Sequence, residues 1–142
     1  MKTSARNQFT GTVSAYKKGA VNDEAEIKLA GGARVVAVVT HESAEALGVK
    51  VGATAFALVK ASSVILVTDF EGARISARNQ FEGKVAKLTS GAVNAEVTVD
   101  VGSGLSITAI VTNASAQALG LAVGRQVTAV FKASSVLLGT MS

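Results

Sequence analysis

The feature that most limits what this chain can become is a repeat. Ser4-Ala5-Arg6-Asn7-Gln8-Phe9 returns letter for letter as Ser76-Ala77-Arg78-Asn79-Gln80-Phe81. Gly19-Ala20-Val21-Asn22 recurs as Gly91-Ala92-Val93-Asn94, and Lys60-Ala61-Ser62-Ser63-Val64 as Lys132-Ala133-Ser134-Ser135-Val136. The offset is 72 positions throughout (4 to 76, 19 to 91, 60 to 132), so the register is held without a gap. Two units are too few to stack as a solenoid. Each copy therefore reads as a small domain, the first over 2–70 and the second over 74–140.

Domains that small bury only ~60% of the surface their unfolded chains expose. There is no cysteine to staple them, and no paired Cys/His spacing for a structural metal. Yet 49% of the residues are hydrophobic. Oligomerisation, with apolar strand faces buried between subunits, is the expected resolution. No run approaches the ~20 apolar residues of a membrane-spanning helix. Met1-Lys2-Thr3-Ser4 runs straight into the repeated motif and leaves no signal peptide, so a cytoplasmic location is expected.

The formal charge of +4 raises the question of nucleic acid, and its distribution answers part of it. Lys17 and Lys18 become Thr89 and Ser90, Lys28 becomes Asp100, and Lys50 becomes Ala122. Only Lys2/Arg74, Arg6/Arg78 and Lys60/Lys132 stay basic in both copies. Most of the positive charge drifts, as a solvated surface does.

Apolar periodicity predicts strands over 4–16, 20–29, 34–39, 54–60 and 64–68. In the first of these, Phe9 and Val13 share one parity, and Ser4, Arg6, Gln8 and Thr10 the other. Ala30-Gly31-Gly32 reads as a hairpin. Thr40 to Gly48 carries a helix signature, with Thr40 as N-cap, acids in the first turn and Gly48 at the stop. The second copy repeats the order, with strands over 94–101, 106–111 and 126–132 and a helix over 113–119. Five short strands with a helix between the third and fourth predict an all-β chain of two tandem OB-like five-stranded barrels.

Catalysis is poorly supplied. The sole histidine, His41, becomes Asn113, and the only acid kept in both copies is Glu24/Glu96. One carboxylate per module makes neither a general acid/base pair nor a hard-cation cage. What the module does repeat is donors. Ser4, Arg6, Thr40, Ser43, Lys60 and Ser62 are matched by Ser76, Arg78, Thr112, Ser115, Lys132 and Ser134. Hydroxyls with one Arg and one Lys suit a small anion through charge-assisted bonds. A donors-only set favours an oxyanion without a proton at neutral pH: molybdate, tungstate or sulfate over hydrogen phosphate. The plainer account also stands, since Ser and Thr at strand ends and N-caps are commonly just caps. Likewise Gly19-Ala20-Val21-Asn22 is either ordinary turn chemistry or a backbone anion nest.

Ser-Ala-Arg-Asn, Gly-Ala-Val-Asn, Val-Thr-x-x-Ser and Lys-Ala-Ser-Ser-Val together resemble the Mop family of molybdate-binding domains, the molbindins. Two in one short chain resemble the di-Mop storage type. The resemblance implies oxyanion binding without catalysis, at sites between domains of neighbouring subunits in a trimer. It implies a first type of site using Ser4, Arg6, Thr40, Ser43, Lys60, Ala61 and Ser62, with Ser76, Arg78, Thr112, Ser115, Lys132, Ala133 and Ser134 as their counterparts. A second type would involve Ala20, Val21 and Asn22, and Ala92, Val93 and Asn94. Intracellular storage of molybdate or tungstate is the expected function. The alternatives are the sensing part of a regulator or transporter, or a single-strand nucleic-acid binder. The last needs aromatic stacking platforms, whereas aromatics are 4% of the chain and Phe9 and Phe81 fall on the buried parity. No membrane or nucleic-acid partner is expected.

Overall fold

Alternation of apolar and polar side chains places the strands, and a computed structural model, in which residues 1–141 are described, shows how they pair. The first repeat forms β1 (Asn7–Lys17), β2 (Asn22–Leu29), β3 (Arg34–Thr40), helix α1 (His41–Leu47), β4 (Thr54–Val59) and β5 (Ile65–Val67). The second forms β6 (Asn79–Ser90), β7 (Asn94–Asp100), β8 (Ser106–Thr112), helix α2 (Asn113–Ala118), β9 (Gln126–Phe131) and β10 (Leu137–Thr140). Two antiparallel sheets result, in the orders β10-β4-β1-β2-β3 and β5-β9-β6-β7-β8. Both contain five strands, as the periodicity predicts.

The fifth strand comes from an unexpected place. β10, the end of the second repeat, pairs with β4 of the first, and β5 pairs with β9 of the second. The compact units accordingly cross the repeat boundaries. One comprises residues 1–59 and those from 132 onward, and the other residues 60–131. Read as repeats, the chain divides at 2–70 and 74–140; folded, it exchanges its last strands.

The first unit's core is lined by Val13, Ala25, Ile27, Val35, Ala37, Ala55, Ala57 and Val59, all essentially inaccessible. Val85, Val97, Val99, Ile107, Ala109, Val127, Ala129 and Phe131 do the same in the second. Each larger side chain of this kind contributes roughly 1.5–3 kcal/mol. Phe9 is 5% exposed, as its parity predicts, and Phe81 stacks on Phe131 with centroids 5.8 Å apart.

Both long strands carry a bulge, between Val13 and Ala15 in β1 and between Val85 and Lys87 in β6. A bulge sharpens the local twist and bends the strand, so β1 serves β4 with its first half and β2 with its second. Glycine is required where this bend brings backbones together. A Cβ at Gly11 would lie 2.2 Å from the Lys28 carbonyl oxygen, and one at Gly83 would lie 2.2 Å from that of Asp100.

Candidate functional site

The donors at the end of β3 are organised by the helix that follows. Thr40 is extended (φ −65°, ψ 147°) and caps α1 by accepting from the Ser43 N–H at 3.1 Å. Its own hydroxyl donates to Ser43 Oγ at 2.8 Å. The Thr40 proton is thus committed, and the Ser43 hydroxyl keeps its proton to donate outward. Thr112 and Ser115 repeat the arrangement at 3.0 and 2.9 Å. These residues are caps, as the plainer account holds, and capping still leaves one exposed hydroxyl donor in each copy. Chained hydroxyls polarise one another, which strengthens the terminal donor.

The Lys-Ala-Ser turns are redistributed by strand exchange. Ala133–Ser135 forms a 3-10 turn that packs against β3, and Ala61–Ser63 forms one that packs against β8. Thr40 and Ser43 therefore share a unit with Lys132, Ala133 and Ser134, while Thr112 and Ser115 share one with Lys60, Ala61 and Ser62. Grouping by repeat would have joined them the other way. Ala61 and Ala133 are buried anchors; the Lys and Ser beside each are exposed.

Ser4 and Arg6 stand elsewhere. They precede Asn7, which pairs with Val59 and donates its side-chain amide to the Val59 carbonyl at 3.2 Å. Thr40 pairs with Asn22, beyond the far end of β1, where Lys17 faces Glu24. The 11 residues of β1 separate the two groups, on the order of 30 Å along a strand. Ser76 and Arg78 hold the same position ahead of β6. Ser4 and Arg6 thus stand ahead of β1, and Thr40 and Ser43 at the end of β3 and the start of α1.

Next to Thr40 lies the Gly19–Asn22 turn, whose Val21 carbonyl accepts from the His41 N–H at 2.9 Å. Asn113 N–H reaches Val93 in the same way at 2.8 Å. Val21 and Val93 are 72% and 69% exposed. The first turn is braced by a network that the sequence reading missed. The buried Asp23 carboxylate accepts from the Tyr16 hydroxyl, from Gly19 N–H at 2.9 Å and from His41 Nδ1 at 2.7 Å. His41 Nε2 lies 3.3 Å from Glu45. His41 is thus a half-buried brace. The available signal was that Tyr16, Asp23, His41 and Glu45 change together, to Leu88, Ala95, Asn113 and Gln117.

Burial pushes the Asp23 carboxyl up, but the bonds from Tyr16, Gly19 and His41 outweigh it and hold it at about 2, below its ordinary 3.8. The hydrogen bond to Asp23 raises the Tyr16 phenol from 10.0 to about 12. A depressed carboxyl stabilises the fold above its unfolded value, and that contribution is lost as pH falls from about 4 towards 2. The raised phenol stabilises below pH ~10, with loss as pH rises towards 12. Thermal melts of the parent should therefore fall off at both extremes, and Asp23→Asn should flatten both limbs. An Asp23→Asn variant with the parent's full pH dependence would contradict this reading.

A model of the TOBE domain matches residues 3–66 and 75–138. The chain belongs to the TOBE-domain family. Both TOBE matches follow the sequence repeats, so it is the folded units that interleave. The chain is 48% identical over 138 residues to molybdenum-pterin-binding protein MopA of Rhodobacter capsulatus, covering 97% of this chain and 52% of that protein. It is 47% identical to molybdenum transport protein ModE of Herbaspirillum seropedicae, over 97% of this chain and 51% of that one. The chain thus spans about half the length of these curated relatives. Its TOBE pair also matches a solved structure of the cytoplasmic molybdate-binding protein ModG with molybdate bound. The TM-score is 0.96 and the identity 51%, across 99% of this chain and 100% of that one. The molbindin resemblance and the two five-stranded folds are in accord with that match. No helix among the described residues is long and apolar enough to cross a membrane.

Proposed function

We propose that this chain binds molybdate or tungstate reversibly, as a binder and not a catalyst, and serves as a cytoplasmic store of the oxyanion. The observation that carries the reading is the donor set kept in both copies with no retained acid among it. It occurs in a chain that matches molybdate-bound ModG over its full length. Ser43 and Ser115 supply outward hydroxyls, and Lys132 and Lys60 supply positive charge within the same units. In this reading Ser4 and Arg6, or Ser76 and Arg78, of a neighbouring chain complete the first type of site. The 20–22 and 92–94 turns form the second type.

This reading requires an oligomer, and three chains is the expected number. Large apolar side chains exposed in both copies support it: Val21 with Val93, Val51 with Val123, and Ile65 with Leu137, each 58–72% exposed. Positions free to drift would not keep such residues twice. Light scattering should give about three times 14.3 kDa.

A second reading rests on the relatives' length. If this TOBE pair serves a longer protein like ModE, the same sites would sense the oxyanion. Calorimetric titration with molybdate tests both, with sulfate as competitor and an oligonucleotide as control. Sulfate carries the same charge but is smaller, so a rigid cage leaves some donors unpaired at roughly 1–3 kcal/mol each. Equal affinity for sulfate and molybdate, or tighter binding of the oligonucleotide, would overturn the proposal.

A further inference from the structure

The turns Gly19-Ala20-Val21-Asn22 and Gly91-Ala92-Val93-Asn94 share four letters but rest on different supports. In the second copy the leading Gly91 N–H donates to the Asn94 carbonyl at 2.8 Å, and the Asn113 side chain donates to the Gly91 carbonyl at 2.9 Å. Both acceptors there are neutral. In the first copy the Gly19 N–H donates instead to the Asp23 carboxylate at 2.9 Å. Asp23 is 1% exposed and stays ionised at neutral pH, its carboxyl being held at about 2. A full negative charge thus sits one hydrogen bond from the backbone of the first turn. The second copy has Ala95 at that place.

The neighbours do not cancel this charge. His41 Nδ1 lies 2.7 Å from Asp23, but His41 Nε2 lies 3.3 Å from a second carboxylate, Glu45, so even a protonated imidazole offsets only one of the two. Leu88, Asn113 and Gln117, which replace Tyr16, His41 and Glu45, carry no charge. Glu42, at the start of α1, becomes Ala114 and adds to the same imbalance. Lys17 and Lys18 oppose it, with Thr89 and Ser90 as counterparts, but both lysines are exposed. Charges interact about four times more weakly through water than at the effective dielectric of ~20 near protein. One buried charge therefore outweighs two exposed ones.

We infer that Asp23 sets the oxyanion affinity of the first turn and makes 20–22 the weaker of the chain's two turn sites. The inference rests on the second type of site in the proposed function and puts its two members in order. Asp23 acts through its charge, as a positioning residue behind the turn and not as a ligand. The 92–94 turn fills first, and 20–22 fills at higher oxyanion concentration.

Molybdate titration of the ¹⁵N-labelled intact chain at neutral pH tests this, read at the backbone amides of both turns. Ala92, Val93 and Asn94 should reach half-saturation at about tenfold lower molybdate than Ala20, Val21 and Asn22. Asp23→Asn should close most of that gap by tightening the first turn. The variant removes the charge and keeps an oxygen to accept from Gly19, so a merely structural Asp23 would predict unchanged or weaker binding. Should Asp23→Asn not fold, the comparison within the parent decides. Equal affinity at the two turns, tighter binding at 20–22, or a gap that survives Asp23→Asn would overturn the inference and leave molybdate binding itself intact. If the amides of neither turn respond while those of Ser43 and Ser115 do, the second type of site falls and this inference with it.

Discussion

Cut after Ala73, the first repeat should not yield a folded monomer. The fragment keeps β1 to β4 but loses β10, which pairs Leu137 to Thr140 with Leu58 to Ala55. It also loses Ala133 and Val136, which are 6% and 3% exposed in the intact chain. Two buried side chains and a row of edge hydrogen bonds amount to about 4–6 kcal/mol. A small domain has only ~5–15 kcal/mol in all. Meanwhile β5 is left without β9. Because Ile65 is the repeat counterpart of Leu137, two fragments can each lend β5 to the other's β4, an exchange dimer. Sedimentation should find dimers or larger species, with melting temperatures that rise with concentration. A monomer with concentration-independent melting would mean that residues 60–64 can fold back as a hairpin, and the exchange would then be incidental.

Arg6→Ala should weaken molybdate binding by roughly ten- to a hundredfold, the equivalent of losing charge-assisted bonds worth about 1.5–3 kcal/mol. Arg6 stays basic in both copies, and Ser4 two positions before it recurs as Ser76. Arg6→Lys should recover only part, because the planar fork of donors is gone. The Arg78 sites should remain, so the titration should resolve two classes where the parent shows fewer. Lys28, which becomes Asp100 in the second copy, is the control. If Arg6→Ala and Lys28→Ala weaken binding equally and slightly, Arg6 is ordinary surface charge.

Most of the fold could be read from periodicity and punctuation. The third strand, expected over 34–39, is Arg34–Thr40, and the fourth, expected over 54–60, is Thr54–Val59. Thr40 caps α1, and Gly48 ends it at φ +69°. These features are set by neighbours in the chain. The strand exchange is not, because Val64-Ile65-Leu66 and Val136-Leu137-Leu138 present the same pattern to either acceptor edge. Duplication makes the two strands interchangeable, and local sequence cannot say which edge each one joins.

For the proposed site, the repeated donors can be read from the chain, but the folded unit that each one joins cannot. The retained residues pointed to an anion. Which Lys-Ala-Ser turn shares a unit with Thr40 and Ser43 follows only from the exchange. The Asp23 network escaped because each member, taken singly, looks like drift. Only the joint change of four residues marks them as one structure.

The central claim is that a retained set of hydroxyls, Arg and Lys holds a doubly charged oxyanion. Elemental analysis of the intact chain, purified from cells grown with added molybdate and dialysed against sulfate buffer, tests it most directly. The account predicts molybdenum in stoichiometric amounts, at least one per repeat, with most of it lost in an Arg6→Ala, Arg78→Ala double variant. Parent protein free of both molybdenum and tungsten that also binds neither anion on titration would contradict it.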